Sequence, residues 1–281
     1  MLRAKLKQVP LFVNVVHKLR LLKKRLTIKL GLYQPPRMLE GELAFFREIY
    51  KYCKVIVDVG ARHDTDFVQI SRGNNIKYYL FEANPRYFKK LLNNISSYNE
   101  MIYLENVAVG ERDGSADYYE DTESLVFGTL GVDNSKMKSN NQLKLVRLDG
   151  YFEKMGVSQV DFLKTDIESY DYFALVGCGE LLSKCRYIQF ELGIGAPLGE
   201  AIVSNEHYYS LLGRWFDLYI LKDEKNPMWA SGAVHSNLVI LNESAKIVVK
   251  EAQKTGVGFN IVGINRSLET NLGSLSISAI K

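Results

Sequence analysis

From residue 55 onward the apolar residues fall in short runs, separated by stretches whose apolar positions recur with helical spacing. Val55-Ile-Val-Asp-Val59 and Tyr78-Tyr-Leu-Phe81 are β-branched or aromatic and end in polar turns, as strands of a buried parallel sheet do. The pattern predicts strands at 55–59, 77–82, 101–105, 160–166 and 187–191. It predicts helices at 39–53, 64–72, 86–96, 149–155, 170–182 and 205–214. Pro85 opens the third of these, where its missing N–H costs nothing. Such alternation is the mark of an α/β sheet. It breaks between 111 and 147, where short strands are expected at 116–120 and 125–131, a polar loop at 137–142 and a strand at 143–148. Two final strands, 216–221 and 237–241, bracket a loop with Pro227, Trp229 and Gly232. With no crossover helix between them they predict an antiparallel edge.

On this pattern the chain divides into a helical, basic N-terminal extension (1–53), an α/β domain (54–242) and a C-terminal extension (243–281) of one short helix and Ser/Gly/Asn-rich sequence. Of the net charge of +4, residues 1–30 alone supply nine Lys and Arg and no acid, so the rest of the chain is slightly acidic. The apolar run at 10–16 is too short to span a bilayer, and no cleavage site follows it. Residues 1–30 therefore read as a helix packed on the domain or a basic amphipathic helix in peripheral contact with a membrane surface. The basic residues are not interleaved with stacking aromatics, which argues against a nucleic-acid partner. Cys53, Cys178 and Cys185 lack C-x-x-C spacing; an odd, sparse set suits a reducing, cytoplasmic compartment and three small core hydrophobes.

The candidate chemistry lies at strand ends, where open α/β sheets bind ligands. Asp58 and Gly60 close the first strand, and Gly60 lets backbone approach a ligand that a side chain would exclude. Glu82, 24 residues after Asp58, sits where an acid can take both hydroxyls of a ribose. The turn lacks the further glycines of a dinucleotide fingerprint, and Asp64 and Asp66 would repel a pyrophosphate. NAD is thus disfavoured, whereas S-adenosylmethionine, cationic and without phosphate, fits. Its candidate contacts are Asp58, Gly60, Ala61, Arg62, Asp64, Glu82, Ala83, Asn84, Asn106, Ala108 and Asp166, with Asn106 and Ala108 near the adenine. Asp166 and Glu191, closing neighbouring strands, can hold Mg²⁺ or Mn²⁺ through oxygen ligands, or one can act as general base. Lys164, on the face that carries Asp166, pairs with an acid or tunes it. His235 is a candidate base from the last loop. For an acceptor, Tyr118, Tyr119, Phe127 and above all Trp229 offer flat apolar faces, and Asn140, Asn141 and Asn226 offer amides.

Asp58-Val-Gly-Ala61, Leu80-Phe-Glu-Ala-Asn-Pro85, Asn106-Val-Ala-Val109, Leu148-Asp149 and Phe162-Leu-Lys-Thr-Asp-Ile-Glu168, with Phe190-Glu191, resemble in order and spacing the motifs of the FkbM-type methyltransferase family, across roughly residues 54–241. The resemblance implies the class I S-adenosylmethionine-dependent methyltransferase fold, a Rossmann-like, seven-stranded, mostly parallel sheet whose last strand is antiparallel. It also implies methyl transfer to a hydroxyl, commonly of a sugar in a glycan or glycolipid. Small-molecule or lipid hydroxyls, and a non-catalytic nucleoside-binding protein of the same fold, stand as alternatives. Asp64 and Ser169 occupy positions where the family often has Gly, which bears on the methionine end and on the substrate floor.

Overall fold

The first helix shows how the chain buries itself. In α1 (Glu40–Ile49) the residues Glu42, Phe45, Phe46 and Ile49 recur at the spacing of one helical face, and all four are buried. Phe45 and Phe46 meet Phe162 with ring centroids 6.2 and 5.6 Å apart, so α1 covers one face of the sheet. The computed structural model describes residues 40–63, 66–121, 128–130, 137–167, 170–192, 203–223, 229, 234–254 and 257–280. Leu39–Lys281 form one compact unit. The helix at 40–49 is therefore part of the folded unit rather than of an extension ending at 53.

Strands β1 (Val55–Val59), β2 (Lys77–Phe81) and β3 (Met101–Glu105) are parallel neighbours. The helices α2 (Asp66–Ile70) and α3 (Pro85–Ile95) connect them. Next come β4 (Ala108–Val109), β5 (Gly114–Asp121), β6 (Gly128–Leu130) and β7 (Met137–Val146), which form a separate sheet in the order β4-β7-β5-β6. The polar stretch 137–142, expected as a loop, is the first half of β7. Its backbone pairs with β5 from Met137 opposite Asp121 onward, and ladder hydrogen bonds need no apolar side chains.

After α4 (Leu148–Lys154), β8 (Val160–Thr165) pairs with the other side of β1. The expected helix at 170–182 is split into α5 (Asp171–Val176) and a 3₁₀ turn, Gly179–Lys184. At the break stands Gly179 with φ +48, a conformation that suits glycine and ends a helix. Then follow β9 (Cys185–Leu192), α6 (Asn205–Leu212), β10 (Phe216–Leu221), β11 (Leu238–Ile240), α7 (Glu243–Gln253), β12 (Phe259–Asn265) and β13 (Ile277–Ala279).

Among the described residues the main sheet runs β13-β11-β10-β12-β9-β8-β1-β2-β3. Its seven strands from β10 to β3 carry the expected α/β architecture, with β12 antiparallel to both β9 and β10. The expected pair at 216–221 and 237–241 is antiparallel and lies near the edge of the sheet, and a further antiparallel strand, 259–265, lies inside it. Residues 243–281 supply that strand together with α7 and the edge strand β13, so they are no appendage. Strand order reverses between β1 and β8, which sets the ligand crevice at the carboxyl ends of those two strands. All three cysteines are buried, and burial pushes their thiols up. Among the described residues no helix is long and apolar enough to cross a membrane. The basic segment 1–30 lies outside the described residues.

Candidate functional site

The turn after β1 is shaped by two left-handed residues. Gly60 has φ +85, and a Cβ there would stand 2.2 Å from the Asp166 carbonyl oxygen, so only glycine fits. The N–H groups of Gly60 and Ala61 both reach the Phe81 carbonyl, at 2.9 and 3.1 Å. Arg62, at φ 55, turns its backbone N–H onto Glu82 Oε2 at 2.6 Å. The other carboxyl oxygen, Oε1, accepts from the Asn84 N–H at 2.7 Å. Glu82 is 5% exposed. Burial pushes its carboxyl up to about 7, against the pull of the Asn84 and Arg62 N–H groups.

The rest of this turn is braced from its neighbours. Asn84 caps α3, its side chain accepting from Arg86 N–H at 2.9 Å and Tyr87 N–H at 3.4 Å. Asn106 donates to the carbonyls of Glu82 (2.7 Å) and Ala83 (3.1 Å). Its N–H groups therefore hold the Glu82 turn, and its amide oxygen is what it can offer a base. Ala108 is buried beside Leu143 and Leu145 rather than facing the crevice. Asp64 lies outside the described residues. The turn therefore joins a glycine packed against the end of β8 to a clamped acid one strand over.

Across the switch point a polar row crosses three strands. Asp58 pairs in register with Lys164, and Lys164 with Gln189. By the period of two, Asp166 and Glu191 continue the same face toward the carboxyl edge. The Lys164 ammonium lies 2.9 Å from Asp166 Oδ2; the lysine side chain is 9% exposed and that of Asp166 40%, so Asp166 faces the crevice with Lys164 behind it. Burial opposes the charge on Lys164, but Asp166, Asp58 and Glu42 outweigh it and hold the ammonium well above its usual range. Lys164 in turn holds the Asp166 carboxyl below the usual carboxylate range. Glu191 goes the other way, up to about 7, through burial and then the charges of Asp166, Asp171 and Glu42. Burial and the Asp166 charge raise Asp171 to about 6. Gly258 abuts Glu191; a Cβ there would be 2.5 Å from Oε1.

The donor set does not fit a divalent cation. Asp166 already carries an ammonium and Glu191 competes for a proton near neutral pH, whereas a Mg²⁺ or Mn²⁺ site needs several unprotonated oxygen ligands. Among the described residues no group of three or more His, Cys, Asp or Glu is placed to supply them. His235 is exposed ahead of β11, three strands from β9, and does not join the acids. Trp229 is 7% exposed, belongs to the main core and donates from its indole to the Ser236 carbonyl at 2.9 Å. It packs into the core instead of presenting a face to an acceptor. The side chains of Tyr118, Tyr119, Asn140 and Asn141, and Phe127 and Asn226 altogether, lie outside the described residues, as do Glu168 and Ser169.

Sequence reasoning missed Glu42, Gln189 and Asp171. For Glu42 a signal existed: a charge on the same helical face as Phe45, Phe46 and Ile49. Gln189 shares a face with Tyr187 on a strand whose pattern speaks only of burial, and Asp171 has the look of an ordinary first-turn acid.

The sequence model described as the methyltransferase FkbM domain matches residues 58–211. No curated protein matches the chain. Among solved structures, an O-methyltransferase from Bacillus cereus in complex with SAH is similar at 11% identity and a TM-score of 0.42, with 87% of this chain and 90% of that one covered. An rRNA methylase from Streptococcus thermophilus is similar at 10% identity and a TM-score of 0.40, with 83% and 99% covered.

Proposed function

The chain belongs to the FkbM methyltransferase family, and from that premise we propose that it transfers the methyl group of S-adenosylmethionine to a hydroxyl of a sugar. The observation that carries the cofactor is the clamp on Glu82, whose oxygens are aimed by the Arg62 and Asn84 N–H groups beside the Gly60 turn. When bound, the cofactor supplies a methyl group on a sulfonium, ready for in-line displacement. Gly60 lets the turn pack against the end of β8, and beside it Glu82 accepts from the ribose hydroxyls.

For the acceptor the chain must orient one hydroxyl and remove one proton, with water kept out. Asp166, exposed to the crevice and held anionic by Lys164, accepts from that hydroxyl and points it. Glu191 takes the proton on its carboxyl, because a base poised near 7 works best at neutral pH. Both the sugar and the hydroxyl follow from the family resemblance.

The test is calorimetry with S-adenosylmethionine together with transfer of a labelled methyl group to a panel of methyl glycosides. Micromolar binding and labelling of at least one glycoside are expected. Binding without transfer to any glycoside would overturn the sugar reading in favour of a small-molecule or lipid hydroxyl. No cofactor binding would overturn the methyl-transfer reading as a whole.

A further inference from the structure

The acid cluster reaches back to a helix that precedes the matched segment 58–211. Glu42, in the first turns of α1, is 6% exposed and accepts at Oε1 from Nε2 of Gln189. Gln189 is the register neighbour of Lys164 on β9, and its Oε1 is buried without a hydrogen-bond partner. The Lys164 ammonium has three protons, of which Asp166 takes one.

The placement of Glu42 is set by packing on both sides of it. Phe45 and Phe46 anchor the helix on Phe162. Gly41 brings the helix start so close to the end of β10 that a Cβ would stand 1.8 Å from the Lys222 carbonyl oxygen. That close approach holds the first turn of α1 at the carboxyl edge of the sheet, where the reacting groups lie. An acid in a first helical turn also favours the helix dipole, but the dipole needs no burial and no contact with β9. A buried carboxylate is costly to keep, so its retention at this point asks for a role in the cluster.

We propose that Glu42 is a positioning residue for proton removal: held by the Gln189 amide, the register neighbour of Lys164, it sets a buried negative charge behind the acid cluster and leaves Glu191 as the proton acceptor. The inference rests on the methyl-transfer reading. The charged and titratable groups facing Glu191 are Asp166 and Lys164 from β8, Asp171 from α5, Tyr208 from α6 and Glu42 from α1.

The experiment follows the Glu191 carboxyl directly, by ¹³C NMR titration of protein labelled at glutamate, with E191Q for assignment and calorimetry with S-adenosylhomocysteine alongside. E42Q removes the charge and keeps the size. It should lower the Glu191 midpoint by on the order of one pH unit, as expected when one nearby like charge is lost, and leave S-adenosylhomocysteine affinity at the wild-type level. The acid limb of methyl transfer should move down by the same amount, and E42D, which keeps the charge, should restore the midpoint. A folded E42Q with an unchanged midpoint overturns the proposal. So does failure of both E42Q and E42D to fold, which would make Glu42 a residue of stability alone. Absence of S-adenosylhomocysteine binding in the wild type counts instead against the methyl-transfer reading, and the NMR midpoint then judges the Glu42 link by itself.

Discussion

Glu82 answers two opposed demands. Its carboxylate must be anionic to accept from a ribose, yet burial favours the protonated form and raises it to about 7. Binding of a hydroxyl-bearing ligand therefore selects the anion. Cofactor affinity should weaken as pH falls through about 7, and E82A should lose on the order of 1.5–3 kcal/mol, the range for bonds to a charged group. Calorimetry from pH 6 to pH 8 checks both, and a flat profile would remove Glu82 from the ribose. At Glu191 the expectation concerns rate. E191Q should slow transfer by about 10²–10⁴-fold, the usual contribution of a positioned base, with cofactor affinity unchanged. A loss of cofactor binding instead would show that Glu191 serves the cofactor. Trp229 belongs to a different class. Because its ring is buried in the core and its indole N–H is satisfied, W229A should cost about 3–5 kcal/mol of stability, read as a lower urea midpoint. Its cofactor affinity, measured on the folded fraction, should not change.

At the scale of elements, β12 carries more than its position near the end of the chain suggests. Phe259–Asn265 closes the gap between β9 and β10, and Gly263 allows the close fit: a Cβ there would meet Ile188 Cγ1 at 2.6 Å. A chain ending at 242 should fail to fold cooperatively, since it exposes the long edge of β9 and the core behind it. Circular dichroism melting shows this directly, and a sharp, reversible transition in the truncated chain would refute it. The same element marks where local pattern stops being informative. A run such as Phe-Asn-Ile-Val-Gly-Ile-Asn looks like a modest strand in a polar tail, and nothing local says that it returns to the middle of the sheet. Helix α1 is the converse case. Its apolar period announces a helix with one buried face, but which strand that face meets depends on strands more than a hundred residues away.

For the whole molecule, the buried acids set the dependence of stability on pH. Glu82, Glu191 and Asp171 have folded-state values raised to about 7, 7 and 6 from 4.5, 4.5 and 3.8. A raised acid contributes stability that is complete below its unfolded value and is lost as pH rises through the folded one. Between pH 5 and pH 8 the ligand-free protein should thus lose stability, by on the order of 1–3 kcal/mol for each of the three, because a tenfold change in proton affinity is worth about 1.4 kcal/mol. Asp166 has the opposite sign, and its contribution disappears only in acid, below its ordinary range. Urea melts at pH 5.5 and pH 8 test the balance, with E191Q expected to flatten the difference. A protein more stable at pH 8 than at pH 5.5 would refute it. The strand runs, the glycine turn at Gly60 and the strand-end places of Glu82, Asp166 and Glu191 were determined by the sequence alone, because each rests on local rules: the period of buried positions, a conformation that only glycine adopts, and the convergence of strand ends on one edge. The tertiary structure alone decided that residues 243–281 complete the sheet, that Trp229 is core, that Asp166 belongs to Lys164 and not to a metal, and that Glu42 and Asp171 join the cluster. Each of these depends on which groups burial brings together across long stretches of chain, and burial, which sets both packing and charge, has no local signature in the residues that undergo it.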